Sequence, residues 1–214
     1  MKPKETKNKI KYYLNQFWYL VWKDDSLKGW VFTLLFLFIF IKFIFFPTLS
    51  LMTGTSLPLA IVESCSMYHE GNLFSNDATW FEFWNEKYSE VGITEEEFQE
   101  FPFQNGFNKG DILFIVGSKP ENLKVGDIII FSTETRGTPL IHRIIKIQKE
   151  GDSYIFSTIG DHNSGQLPIE KVINENQIVG KAKLRLVPYL GWAKLIFFEH
   201  LKSENERGFC KSNY

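Results

Sequence analysis

Three features of this 214-residue chain predict a mainly β protein, an antiparallel β domain held to a membrane by one N-terminal transmembrane helix and carrying a small helical insertion. One is a long apolar run near the N-terminus. Another is a series of Ile/Val/Phe-rich stretches of strand length beyond residue 110. The third is an acidic, aromatic block between them with helix-type spacing.

The apolar run, "WVFTLLFLFIFIKFIFFPTLSLM" at residues 30–52, is long enough to cross ~30 Å of hydrocarbon. Lys42 is its only charge and must snorkel or face a partner. It begins too late and runs too long for a removable leader. Lys2, Lys4, Lys7, Lys9, Lys11, Lys23 and Lys28 precede it, whereas residues 43–62 hold no Lys or Arg. By the positive-inside rule this predicts a single-pass protein of the cell membrane, with a cytoplasmic N-terminus and its main body on the outer face. Residues 12–22, "YYLNQFWYLVW", predict a short interfacial helix. The expected divisions are a cytoplasmic segment 1–29, the span 30–52, a β domain 53–192, and a C-terminal interfacial helix and tail 193–214. "PYLGWAKLIFFEHLK" at 188–202 reads as a docking helix, with a tilted second crossing left open.

Within the β domain, residues 70–106 form the insertion, rich in Glu and interleaved with Trp80, Phe81, Phe83, Trp84 and Tyr88. Asn76 can cap a helix beginning near Asp77, and Thr94 with Glu97 fits a capping box for a second. Apolar aromatics at this spacing are expected to bury one face as local core, with contact to substrate or membrane left open. "LAIVES" and then "DILFIVG", "GDIIIFST", "LIHRIIKI", "SYIFSTIG" and "QIVGKAKLRLV" predict strands of an antiparallel meander.

A formal net charge of -1 gives no basic footprint for nucleic acid. The only cysteines, Cys65 and Cys210, make no disulfide framework and no metal-ligand spacing, so neither metal nor cofactor is expected. A bridge between them is possible outside the cell, but nothing in the sequence argues for it.

"ESCSM" at 63–67 follows the first strand, and its two serines suit either a turn or a nucleophile with a neighbouring hydroxyl donor. An attacking Ser66 needs a base and an oxyanion donor. Of the four histidines, His142 interrupts the apolar pattern of its strand, His69 lies three residues from Ser66, and His162 and His200 stand elsewhere. Asp161, in the turn "GDHN", could orient an imidazole or serve only the turn.

Taken in order, "PLAIVESCSM", "NKGDILFI" with "VGDIIIF", "IHRII", "STIGDHN" and "VGKAKLRLVPYLGW" resemble the sequence blocks of type I signal peptidases (family S26). The match covers most of residues 30–192 outside the insertion. A histidine before the arginine of "IHRII", where the bacterial branch has a lysine, resembles the archaeal and endoplasmic-reticulum branch. The resemblance implies coiled antiparallel sheets and a serine endopeptidase that removes signal peptides from exported preproteins. It implies Ser66 as nucleophile, His142 as general base and Asp161 as the acid, with the Ser66 N–H and the Ser64 hydroxyl as oxyanion hole. Shallow pockets from Leu59, Ile61 and Ile141 are expected to select small residues. Expected partners are preproteins, membrane lipid and, as an open candidate, the protein-translocation machinery. Cys65 stands where the family usually has glycine, and His69 where it often has proline. The family's second aspartate is missing, since Gln166 and Leu167 occupy those positions, and Glu170 lies out of register. A non-catalytic, membrane-anchored β domain that binds extended peptides is the alternative.

Overall fold

The computed structural model describes residues 3–70, 78–133 and 136–211, and the chain divides into two units between Met52 and Thr53.

In the first unit, α1 (Pro3–Trp22) is longer than the short helix expected over 12–22. Ser26 caps the next helix by accepting the Gly29 N–H. α2 (Leu27–Phe40), a π turn (Ile41–Phe45) and α3 (Phe46–Thr53) then run as one apolar helix of 27 residues, long enough to cross a membrane. Pro47 lies just past the π turn, and a proline removes the N–H that an α-helical carbonyl would accept there. α1 packs on α2 through Phe17, whose ring meets Phe36 edge-on at 5.0 Å.

The second unit is one seven-stranded antiparallel sheet in the order β1-β2-β7-β3-β4-β5-β6. The strands are β1 (Leu59–Ile61), β2 (Ile112–Val116), β3 (Ile128–Thr133), β4 (Arg136–Glu150), β5 (Ser153–Ile159), β6 (Ile173–Asn174) and β7 (Ile178–Val187). Only the two-residue β6 carries no strand signal of its own in the sequence. β3 shows how the period of two builds the interior. Ile128 and Ile130 face a cluster with Met67 and Phe107, and Ile129 and Phe131 face another with Ile144 and Phe156.

The insertion carries α4 (Ala78–Ser89) and α5 (Glu95–Gln99). Thr94 and Glu97 form the expected capping box, while Asn76 and Asp77 lie outside the described residues. Trp80, Phe81, Tyr88 and Phe98 bury their rings against Ile145 of β4 and Ile159 of β5.

Among the described residues beyond β7 are a four-residue helix, α6 (Trp192–Leu195), and two 3-10 turns, in place of a helix through residue 202. Tertiary ties replace helical order there. The buried Lys109 ammonium donates to Glu199 Oε2 and to the Glu206 and Gly208 carbonyls, and Trp192 Nε1 donates to the Lys109 carbonyl. Gly110, at φ +95°, leaves room for the Trp192 ring, since a Cβ would stand 2.3 Å from it. Cys65 and Cys210 form a disulfide that closes this tail onto the loop after β1.

Candidate active site

Ser66 sits on a turn anchored from several sides. The Met67 side chain is buried in the core, Cys65 is held by the disulfide, and the Phe107 N–H donates to the Met67 carbonyl at 2.6 Å. The His162 N–H donates to the Ser66 carbonyl at 2.8 Å. The Ser66 hydroxyl lies 2.9 Å from His142 Nε2 and 3.1 Å from the Ser64 hydroxyl.

His142 is opposite Ile129 in the β3–β4 ladder and is almost wholly buried. Its Nδ1 is bonded to Glu170 Oε1. An ionised carboxylate only accepts, so this bond places the proton on Nδ1 and leaves Nε2 free to accept from Ser66. Glu170 also accepts from the Thr158 hydroxyl at 3.3 Å and the Leu167 N–H at 2.7 Å. It is delivered by a 3-10 turn, Pro168–Glu170, whose preceding Gln166 donates to the Thr158 carbonyl and the Ser157 hydroxyl at 2.7 Å each.

Asp161, the acid that the resemblance implies, does not meet His142. Successive side chains on a strand point to opposite faces. His142 faces Glu170, and Arg143 faces the side that the insertion covers, where the turn after β5 brings Asp161. The Arg143 guanidinium donates to Asp161 Oδ2 at 2.6 Å and to Oδ1 at 3.0 Å. Tyr88 OH donates to Oδ1, and His69 Nε2 is bonded to Oδ2, each at 2.9 Å. His69 stacks on Trp80 at 3.6 Å, buried within this second network. Burial alone would raise the Asp161 pKa, but Arg143 and the His69 bond hold it well below the usual carboxylate range.

Leu59 and Ile61 are half-buried on β1, which has a neighbour on one side only. Ile141, also half-buried, lies in the part of β4 that pairs with β3, ahead of the residues that pair with β5. Among the described residues no group of three or more His, Cys, Asp or Glu side chains converges as a metal-binding set.

A hydroxyl, an imidazole and a buried carboxylate in series can activate a serine for attack on a carbonyl, whatever the fold that carries them. No protein-family model matches the chain. It is 31% identical over 106 residues to the human signal peptidase complex catalytic subunit SEC11C, covering 45% of this chain and 53% of that protein. It is also 31% identical over 101 residues to the signal peptidase complex catalytic subunit SEC11 of Scheffersomyces stipitis, covering 44% and 60%. The chain therefore has homologues among signal peptidase complex catalytic subunits, in agreement with the resemblance read from its sequence. It spans about half the length of the curated relatives it matches.

Proposed function

We propose that this protein is a membrane-bound serine endopeptidase that removes N-terminal signal peptides from exported preproteins. The observation that carries this reading is the series Ser66 Oγ, His142 Nε2 at 2.9 Å, and His142 Nδ1 bonded to buried Glu170. His142 takes the proton from Ser66 as Oγ attacks the scissile carbonyl, and Glu170 holds the imidazolium that forms. The Ser66 N–H and the Ser64 hydroxyl stabilise the oxyanion. His142 then returns the proton to the leaving amine, and a water molecule, activated in the same way, releases the acyl group. Asp161 supports the scaffold through Arg143 and does not orient the base.

The unpaired side of β1 and the first half of β4 offer edges to which an extended peptide can add as a strand. Leu59, Ile61 and Ile141 shape the pockets for its small residues. The apolar helix confines enzyme and membrane-embedded substrate to one layer, which raises their effective concentration. The lysines before the span support a cytoplasmic N-terminus and a β domain on the outer face of the cell membrane. The Cys65–Cys210 disulfide supports that orientation, because such bonds persist in oxidising compartments. Membrane lipid is the surrounding this reading implies, with the translocation machinery as a candidate partner.

The test is processing of a preprotein by the protein in liposomes, followed by the mass of the product. Cleavage by wild type and none by Ser66→Ala is expected. Preprotein that binds wild type but stays uncut would favour a peptide-binding module instead.

A further inference from the structure

The insertion reaches the nucleophile through a lysine. On α4, Trp80, Trp84, Lys87 and Tyr88 fall at i, i+4, i+7 and i+8, the spacing of one helix face. The aromatic members of that face pack inward, with Trp80 and Tyr88 almost wholly buried. Lys87 is carried inward with them, and its ammonium lies 4.0 Å from the centre of the Trp84 ring. A charge so placed needs partners, and it has three carbonyls from one short turn. It donates to Asp161 O, to Asn163 O at 2.9 Å and to Gly160 O at 3.4 Å. An ammonium has three N–H donors, so each carbonyl is served by one.

That turn is the surface against which Ser66 is set. The Asn163 N–H closes it on the Gly160 carbonyl at 3.0 Å, and the His162 N–H reaches out to the Ser66 carbonyl at 2.8 Å. The approach is close enough to exclude a side chain. A Cβ on Gly160 would stand 2.9 Å from the Ser66 carbonyl oxygen and 2.5 Å from the Asn163 amide. Displacement of the turn therefore displaces the Ser66 backbone, and with it the hydroxyl that must stay in line with His142 Nε2.

We propose that Lys87 is a positioning residue for the reaction, gathering the carbonyls of the 160–163 turn and so fixing the Ser66 backbone against His142. This inference rests on the peptidase reading above and gives the insertion a part in catalysis beyond its own packing. Lys87 itself touches neither the hydroxyl nor the imidazole in the contacts described. Its effect passes through the His162–Ser66 backbone bond.

The experiment compares full-length wild type, Lys87→Met and Lys87→Arg in liposomes with a preprotein substrate. Methionine keeps the apolar stem that packs on Trp84 and removes the donors, whereas arginine keeps charge and donors. The expected result is a fall in kcat of about 10²-fold for Lys87→Met with KM unchanged, as for a misplaced reacting group. Lys87→Arg is expected to recover most of that loss. Hydrogen exchange supplies a second readout that needs no activity, in which the His162 amide exchanges at least about tenfold faster in Lys87→Met, as its bond to Ser66 O opens locally. An unchanged kcat, a rise in KM alone, an equal loss in Lys87→Arg, or an unchanged His162 exchange rate would each overturn the proposal. Failure of the peptidase reading would show separately, as preprotein left uncut by wild type. The exchange rate decides whether Lys87 holds the turn in either case.

Discussion

Glu170 accepts a hydrogen bond from Nδ1 of His142 with its side chain wholly buried and that of His142 only 3% exposed. Nine residues earlier in the chain, Asp161 is equally buried but bonded to Arg143. Two acids therefore serve two neighbouring residues of β4 on opposite faces, and their substitution should have opposite signatures.

Asp161→Asn leaves the Arg143 guanidinium buried without its counter-charge, and removing one partner of a buried pair costs about 3–5 kcal/mol. Glu170→Gln keeps the shape and most of the hydrogen-bonding capacity of its site. Denaturant unfolding of the two variants should show a large loss of stability for Asp161→Asn and a small one for Glu170→Gln. The reverse order would contradict the assignment.

Acid should weaken the fold in two stages. Burial lowers the His69 pKa from its ordinary 6.5, with nearby Arg143 and Lys87 adding to the effect and Asp161 opposing it. Arg143 and His69 hold Asp161 below its ordinary 3.8 against the opposing effect of burial. In both cases the unfolded chain binds more protons than the folded one on the acid side, so stability falls with pH. The His69 contribution is complete above 6.5 and declines below it, and that of Asp161 declines below 3.8. Unfolding free energies should fall as the pH drops below 6.5, and the fall should be smaller in His69→Phe, where His162, whose pKa burial also lowers, still contributes. A decline of equal size in that variant would contradict the account.

The Cys65–Cys210 bond closes a loop with a sequence separation of 145 residues and ties the tail beside the nucleophile. Cys210→Ser should lower stability by about 2–4 kcal/mol through the freedom returned to the unfolded chain. Denaturant curves with and without reductant check this. Wild type should shift and the variant should not.

Ser64→Ala removes a hydroxyl 3.1 Å from the Ser66 hydroxyl. As an oxyanion donor, its loss should lower kcat by about 10²–10³-fold with little change in KM. A steady-state comparison with an unaltered kcat would leave the Ser66 N–H to act without it.

A bulky residue on the substrate edge should move the cut. Leu59→Trp is expected to redirect cleavage-site choice, read from the N-terminus of the product, and unchanged choice would remove Leu59 from the pocket.

Much of the fold was legible because strand periodicity is local. The stretches Ile112–Val116 and Ile128–Thr133 are short, Ile-rich apolar runs bounded by turn residues, which suits buried strands, and Thr94 with Glu97 marks a helix start by chemistry confined to four residues. The meeting of Ser66 with His142 was legible from motif and spacing. The carboxylate that meets His142 was not, because Asp161 lies in the more recognisable block. The clue lay in the adjacency of His142 and Arg143, which a strand must send to opposite faces. Gln166 and Pro168, which set the turn that delivers Glu170, were a further local sign. The disulfide and the ties of Lys109 to the tail join residues far apart in the chain, and no local pattern records them. Lys87 is the single Lys or Arg of residues 70–106, and its place on the aromatic face of α4 turns it inward.

Single-turnover cleavage of a preprotein in liposomes, with wild type, Ser66→Ala, His142→Ala and Glu170→Gln side by side, tests the central claim most directly. The account predicts cleavage by wild type, background rates for the first two variants, and a loss of about 10³–10⁴-fold for Glu170→Gln. Wild-type rates in Glu170→Gln, with cleavage lost in a folded Asp161→Asn, would contradict it and return the acid's role to Asp161.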